Sequence, residues 1–365
     1  MPRPTFPTID PDRRRALLRH PGGGRVRIVI DTDCANEIDD QFALAWALLL
    51  QERLAIEAVY AAPYSFGIYR DDLIRTAELR RRGQPLPDEL RPLAGWVAGL
   101  EEIGVDPADV SFVGPAEGME ASYTEILKVG TLMGMDLQPK TFRGAPEYLA
   151  SYDAPVISPA VEDLVERAMA PADTPLHVVA IGATTNIASA LLVEPRIVDR
   201  IVVSWTSAYP TWAGMYNYSF NLEQDLLASQ LLFSSGVPLV YLPGYYLGSQ
   251  LTISLPEMQA YVRGRGAIGD YLHHLYTHNP LYAQRGIVGN EMRTWVIWDL
   301  INFAWLIDPA WVPTRFVPTP RLGDDQRWHT DGAPPHEMLE AYEIRRDSIF
   351  RDLFVRLDAF ARTSV

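Results

Sequence analysis

The stretch "IVIDTDCANEIDDQFALAWALLL", residues 28–50, decides the fold. It opens as a strand and closes as an apolar helix, and between the two stand Asp31, Asp33, Glu37, Asp39 and Asp40. An apolar strand feeding an apolar helix reads as the first βα unit of a parallel sheet. Ligands of such sheets sit at the carboxyl ends of the strands, where Asp31 and Asp33 fall. Helix capping accounts for one or two of these acids, such as Glu37 and Asp39. Four or five together repel one another unless a cation offsets them. A set made only of oxygen donors points to a hard cation, Ca²⁺ or Mg²⁺.

Outward from this unit the alternation repeats. "LAIEAVYAAP" from Leu54, "LHVVAIG" from Leu176, "RIVVSW" from Arg200 and "PLVYLP" from Pro238 read as strands. Helices are predicted over 69–82, about 119–133, 158–170, 186–195 and 225–236, the last stopped at Gly236. The expected fold is α/β, an open, mostly parallel sheet flanked by helices. Residues 83–117, with prolines at 85, 87, 92, 107 and 115, read as loop. Residues 256–307 read as mainly helical and include the buried run "WVIWDLINFAWLI", and the tail from about 335 reads as one helix. The expected organisation is an N-terminal arm, 1–24, on the surface. It precedes a single domain, 25–365, with an insertion at about 68–117.

Composition narrows the function. The 365 residues carry 46 acidic and 32 Lys or Arg side chains, a net charge of -14. That balance argues against nucleic-acid binding, which needs a basic face. The short cluster Arg80 to Arg82 reads as a solvated helix end. Cys34 is the single cysteine, so neither an intrachain disulfide nor a CxxC metal site is available. The first residues lack the apolar core of a secretory signal, and no apolar run suits a membrane span. A cytoplasmic protein is expected.

Two known patterns fit the opening stretch. "DTD" at the end of an apolar strand resembles the start of haloacid-dehalogenase phosphatases, in which Asp31 would be the nucleophile, Asp33 the acid/base and Mg²⁺ the metal. That resemblance leaves Asp39 and Asp40 unexplained. The whole stretch "DTDCANEIDDQFAL" resembles the nucleoside hydrolase signature DTDPGxDDAxAL, with two extra residues and no Pro-Gly. Three further motifs follow in order. "IGATTN" resembles the family's GPLTN through Gly182, Thr185 and Asn186, and "SFNLEQDLLAS" resembles EFNxxxDPEAA through Phe220, Asn221 and Asp225. "VIWDLINF" places Asp299 where the family has the Asp of a His-Asp pair. A lone carboxylate in so apolar a run needs a partner, a metal or an arginine such as Arg293.

The resemblance implies a hydrolase of the N-glycosidic bond of a ribonucleoside or related ribosyl N-glycoside, serving purine or pyrimidine salvage. It implies Ca²⁺ held by Asp33, Asp40, the Ile181 carbonyl and Asp299, and water activated by Asp33. Asp39 would hold a ribose hydroxyl or, as a lesser alternative, act as the base. Asn221 would bind ribose, and a homodimer or tetramer is expected. The departures cluster where substrate should lie: Trp298 replaces the His, Ser219 replaces an acid, and "AAPYSF" replaces a Gly-Asn. Trp298 is then a candidate for stacking on a base, and Asn217 for a missing asparagine contact. His273, His274 and His278 are candidates for a leaving-group acid or a lid. A non-catalytic, sugar-binding member of the same fold is the main alternative.

Overall fold

In the computed structural model, residues 5–289 and 294–363 are described. The strands are β1 Val26–Thr32, β2 Leu54–Ala61, β3 Thr141–Arg143, β4 Leu176–Ala180, β5 Ile201–Ser207, β6 Leu239–Pro243, β7 Thr252–Ser254, β8 Thr294–Val296, β9 Thr314–Pro318, β10 Arg321–Leu322, β11 Trp328–His329 and β12 Glu337–Ala341. The helices are α1 Pro11–Leu17, α2 Asp39–Leu48, α3 Arg70–Arg81, α4 Ala94–Glu102, α5 Pro115–Leu132, α6 Pro159–Met169, α7 Thr185–Val193, α8 Phe220–Glu223, α9 Leu226–Ser234, α10 Leu255–Glu257, α11 Gly266–Thr277, α12 Leu281–Gln284, α13 Leu300–Ile307 and α14 Arg346–Thr363.

Eight strands form the main sheet in the order β3-β2-β1-β4-β5-β6-β12-β9. Every neighbouring pair is parallel except β12 with β9. The chain leaves β1 for β2 on one side and later adds β4 on the other, so strand order reverses at β1. Asp31 sits there in register with Tyr60 of β2 and Ala180 of β4. This is the switch point at which open α/β sheets bind ligands.

Alternating side chains of β1 serve two cores. Ile28 and Ile30 join the cluster built with α2, α5, α13 and α14, and Val29 joins the one built with α6, α7 and α9. Helix α2 is buried along its whole length. Its polar face is only Asp39, Asp40 and Gln41 at the amino end, which fits a helix enclosed on all sides. From α13, Asn302 donates to the carbonyls of Ala180 (3.1 Å) and Ser204 (3.0 Å), tying that helix to β4 and β5.

Three expectations change. Residues 83–117 contain α4, because Pro92, Pro107 and Pro115 occupy first turns of helical segments rather than breaking them. In the run expected to be mainly helical, Thr294–Val296 is β8, paired antiparallel with β7. In the tail, Glu337–Ala341 is a strand of the main sheet and the helix begins at Arg346. The N-terminal arm carries α1, capped by Asp10, with Leu17 and Leu18 in the large core.

The segment at about 68–117 builds its own apolar cluster from Leu73, Leu90, Leu93, Trp96, Val97 and Leu100, closed by Phe66 and Tyr69. It is anchored where α5 meets the loop after β2. A Cβ on Gly118 would lie 2.1 Å from the Tyr64 carbonyl oxygen. Gly118→Ala is expected to cost about 1–3 kcal/mol through this overlap, read as a lower denaturant midpoint at unchanged slope.

Candidate functional site

The acids of the opening stretch have different fates. Asp31 is fully buried and accepts from Asn186 Nδ2 at 2.7 Å. Burial pushes its carboxyl up to about 7, against the lowering effect of Asn186. It does not line the cavity at the switch point, so it is not placed as the exposed nucleophile that the phosphatase alternative requires. Glu37 pairs with Arg285 Nη2 at 3.1 Å.

Asp33 is held from one side. Its Oδ2 accepts from Asn36 Nδ2 at 2.9 Å and more distantly from Gln224 Nε2, while its Oδ1 is buried without a partner among the described residues. The two extra residues of the signature explain this arrangement. Asn36 N reaches back to the Asp33 carbonyl at 3.0 Å, and the Asn36 side chain accepts from Glu37 N. An asparagine turn thus stands where the family has Pro-Gly. Gly182 packs against this carboxylate, since a Cβ there would lie 2.9 Å from Asp33 Cγ.

Asp39, Asp40 and Asp299 come together. Carboxylate oxygens of all three lie within 4.8 Å of one another, and each residue is buried. Asp40 also accepts from Thr32 Oγ1. Burial first, and mutual repulsion second, hold Asp33, Asp39, Asp40 and Asp299 well above the usual carboxylate range. Such groups either take up protons or hold a cation. A cluster of three buried carboxylates, offering oxygen donors only, fits a hard divalent cation. Arg293 lies outside the described residues.

The cavity measures about 350 Å³. It is lined by Asn36, Glu37, Asp39, Asp40 and Asp299, by Ile181, Thr206, Ser207, Ser219 and Asn221, and by the aromatic residues Phe66, Tyr69, Tyr218, Phe220, Tyr245, Trp295 and Trp298. Asn221 donates to the carbonyls of Ile181 and Thr206, both at 3.2 Å, so its Oδ1 carries the remaining acceptor capacity. Trp298 meets Tyr245 edge to face at 5.7 Å.

Other expected residues fall elsewhere. Asn217 is buried away from the cavity, with Oδ1 on the Tyr209 amide at 3.3 Å. His273 and His274 lie on α11 and His278 at its carboxyl end, with His274 stacked on His278, and none of the three lines the cavity. The substrate reading of Asn217 and the acid or lid reading of these histidines find no support in this geometry. Asp33 is not among the three clustered carboxylates, whereas Asp39 is. Asp225 caps α9 and accepts from Thr185 at 2.7 Å, a structural role. Asn36, Glu37, Tyr218 and Arg285 were not singled out as site residues. Only Asn36 left a local signal, a turn-forming residue between strand and helix.

No family model matches the chain. Over 177 residues it is 28% identical to the pyrimidine-specific ribonucleoside hydrolase RihB of Escherichia coli O1:K1 / APEC, covering 45% of this chain and 54% of that protein. RihB of Shigella dysenteriae serotype 1 is also 28% identical, with 62% of its length covered. The chain thus spans somewhat over half the length of the curated relatives it matches. Among solved structures, it resembles a purine-preferring ribonucleoside hydrolase from Gardnerella vaginalis at TM-score 0.59 and 16% identity, covering 92% of this chain and 99% of that one. It resembles the inosine-uridine preferring nucleoside hydrolase of Bacillus anthracis at TM-score 0.54 and 14% identity, covering 91% and 99%. The fold is that of the nucleoside hydrolases, and the expected resemblance to that family is borne out. No helix among the described residues is long and apolar enough to cross a membrane.

Carboxylates raised in the folded state hold protons that the unfolded chain releases. The cation-free protein should therefore lose stability as pH rises above about 4. Thermal unfolding in chelator should show that decline toward pH 8. Ca²⁺ at a hundredfold excess over its Kd should restore about 2–3 kcal/mol at pH 8, with a smaller gain at pH 5. Asp299→Asn should abolish the response to Ca²⁺.

Proposed function

We propose that this chain is a Ca²⁺-dependent hydrolase of a ribonucleoside or related ribosyl N-glycoside. The observation that carries this reading is the gathering of Asp39, Asp40 and Asp299 in the wall of a cavity at the switch point of a nucleoside hydrolase fold. The matched relatives are ribonucleoside hydrolases by name, which supports the same activity here.

Asp40 and Asp299 belong both to the donor set implied by the family and to the set that the geometry gathers. With Asp39 or Asp33 and the Ile181 carbonyl they would hold the cation, whose charge would fix ribose hydroxyls and water and relieve the repulsion of the acids. Asn221 Oδ1 would accept from a ribose hydroxyl. Asp33, with Oδ2 occupied and Oδ1 free of protein partners, would take the proton of the attacking water. The remaining carboxylates would stabilise the positive charge that develops on the sugar as the glycosidic bond lengthens. Aromatic side chains, Trp298 among them, would hold a flat base.

A second reading makes Asp39 the base. It is favoured by one observation: Asp39 lines the cavity and Asp33 does not. Reducing-sugar release from purine and pyrimidine ribonucleosides, with and without chelator, tests both readings. Release should stop in chelator and return with Ca²⁺. Asp33→Asn should lower kcat by about a thousandfold at nearly unchanged KM, while Asp39→Asn should mainly raise KM. The reverse pattern would transfer the base to Asp39. A protein that retains Ca²⁺ yet releases no sugar from any nucleoside would instead be a binding member of the fold.

A further inference from the structure

A departing base carries away the electron pair of the C1′–N bond and needs a positive group or a proton donor. The cavity holds no histidine among the described residues, and Trp298 stands where the family has one. Its phenols are poor acids. Burial pushes Tyr218 up to about 12, and Tyr245 is raised further.

One cationic side chain lines the cavity among the described residues, Arg285. Its guanidinium carbon lies 5.2 Å from the ring centres of both Phe66 and Trp96. Nη2 is bound to Glu37 at 3.1 Å, and Nε has no hydrogen-bond partner among the described residues. The backbone beneath it is fixed by the inserted segment. Trp96 Nε1 donates to the Gln284 carbonyl at 2.9 Å, and a Cβ on Gly99 would lie 2.4 Å from the Arg285 carbonyl oxygen. Gly286, at φ 64°, turns the chain away directly afterwards. A side chain so braced by rings, by an acid and by the close approach of α4 is preorganised rather than loosely solvated.

We propose that Arg285 is a catalytic residue that stabilises the leaving base as an anion, in place of a proton donor. The inference rests on the hydrolase reading above. Water oxygen bonds to C1′ and gives its proton to Asp33. The C1′–N bond breaks with its pair going to the base, whose negative charge lies against the guanidinium. The base gains a proton from solvent after release, and Asp33 loses its own to solvent. Arginine presents a fork of N–H donors and a cation but does not itself pass a proton. The segment at about 68–117 therefore acts in the chemistry through Trp96 and Gly99, as positioning residues behind Arg285.

The test compares ribonucleosides with 4-nitrophenyl riboside, whose phenolate departs without assistance. The parent enzyme, Arg285→Ala, Arg285→Lys and Tyr218→Phe are assayed in Ca²⁺. Arg285→Ala should lower kcat/KM on ribonucleosides by about a hundredfold and on the nitrophenyl glycoside by less than about fivefold. Arg285→Lys should recover part of the nucleoside rate, and Tyr218→Phe should leave the ratio between substrates unchanged. Equal losses on both substrates in Arg285→Ala would reduce Arg285 to a structural part and overturn the proposal. So would a selective nucleoside loss in Tyr218→Phe with Arg285→Ala active. If the parent hydrolysed neither glycoside, the hydrolase reading itself would fall, and this inference with it.

Discussion

Repulsion among buried carboxylates is the constraint on which this structure depends. Asp33, Asp39, Asp40 and Asp299 converge from the end of β1, the first turn of α2 and the residue before α13. In a low-dielectric setting like charges cannot accumulate without compensation. The fold compensates the outer acids with its own groups: Asn186 for Asp31, Arg285 for Glu37, and Asn36 for one oxygen of Asp33. Asp39, Asp40 and Asp299 remain gathered, with Thr32 Oγ1 donating to Asp40. The helices that carry Asp39, Asp40 and Asp299 are fixed in one large core on the same face of the sheet.

Much of this was legible in the sequence, for particular reasons. Strand β1 and helix α2 are apolar almost throughout, and the acids between them could only sit at a strand end. Asp299 stood out because a single charge interrupted a run of aromatic and aliphatic residues. What stayed hidden was long-range. Arg285 pairs with a residue 248 positions earlier in the chain, and no local pattern announces such a contact. Prolines 92, 107 and 115 misled because the same residue ends one helix and begins another, and only the neighbouring turn decides which. Strand β12 was taken for helix because a five-residue strand at a helix entrance has too few residues to display its period. Asn217 and the three histidines carry chemistry suited to a site, but they do not line the cavity.

The two halves of the cavity differ in how they are built. The acidic half comes from the main sheet and its buried helices, so its geometry is set by the core. The aromatic half comes from Phe66 and Tyr69 after β2, Tyr218 and Phe220 at α8, Tyr245 after β6, and Trp295 and Trp298 on and after β8, with ring contacts such as Phe66 on Phe220 at 4.1 Å. Chemistry that must be held in register resides on the rigid half. Under the proposed function, discrimination among bases would fall to the half that can be rebuilt without disturbing the sheet.

Helix α2 also constrains how the chain acquires this shape. Its outer side is covered by α14, and Trp46 Nε1 donates to Asp352 at 2.9 Å across 306 positions of sequence. The apolar length of α2 is therefore covered only after a contact 306 positions apart in sequence has formed. Until that long-range closure is made, a strongly apolar helix lacks its cover, which is the condition under which folding is slow and exposed to aggregation.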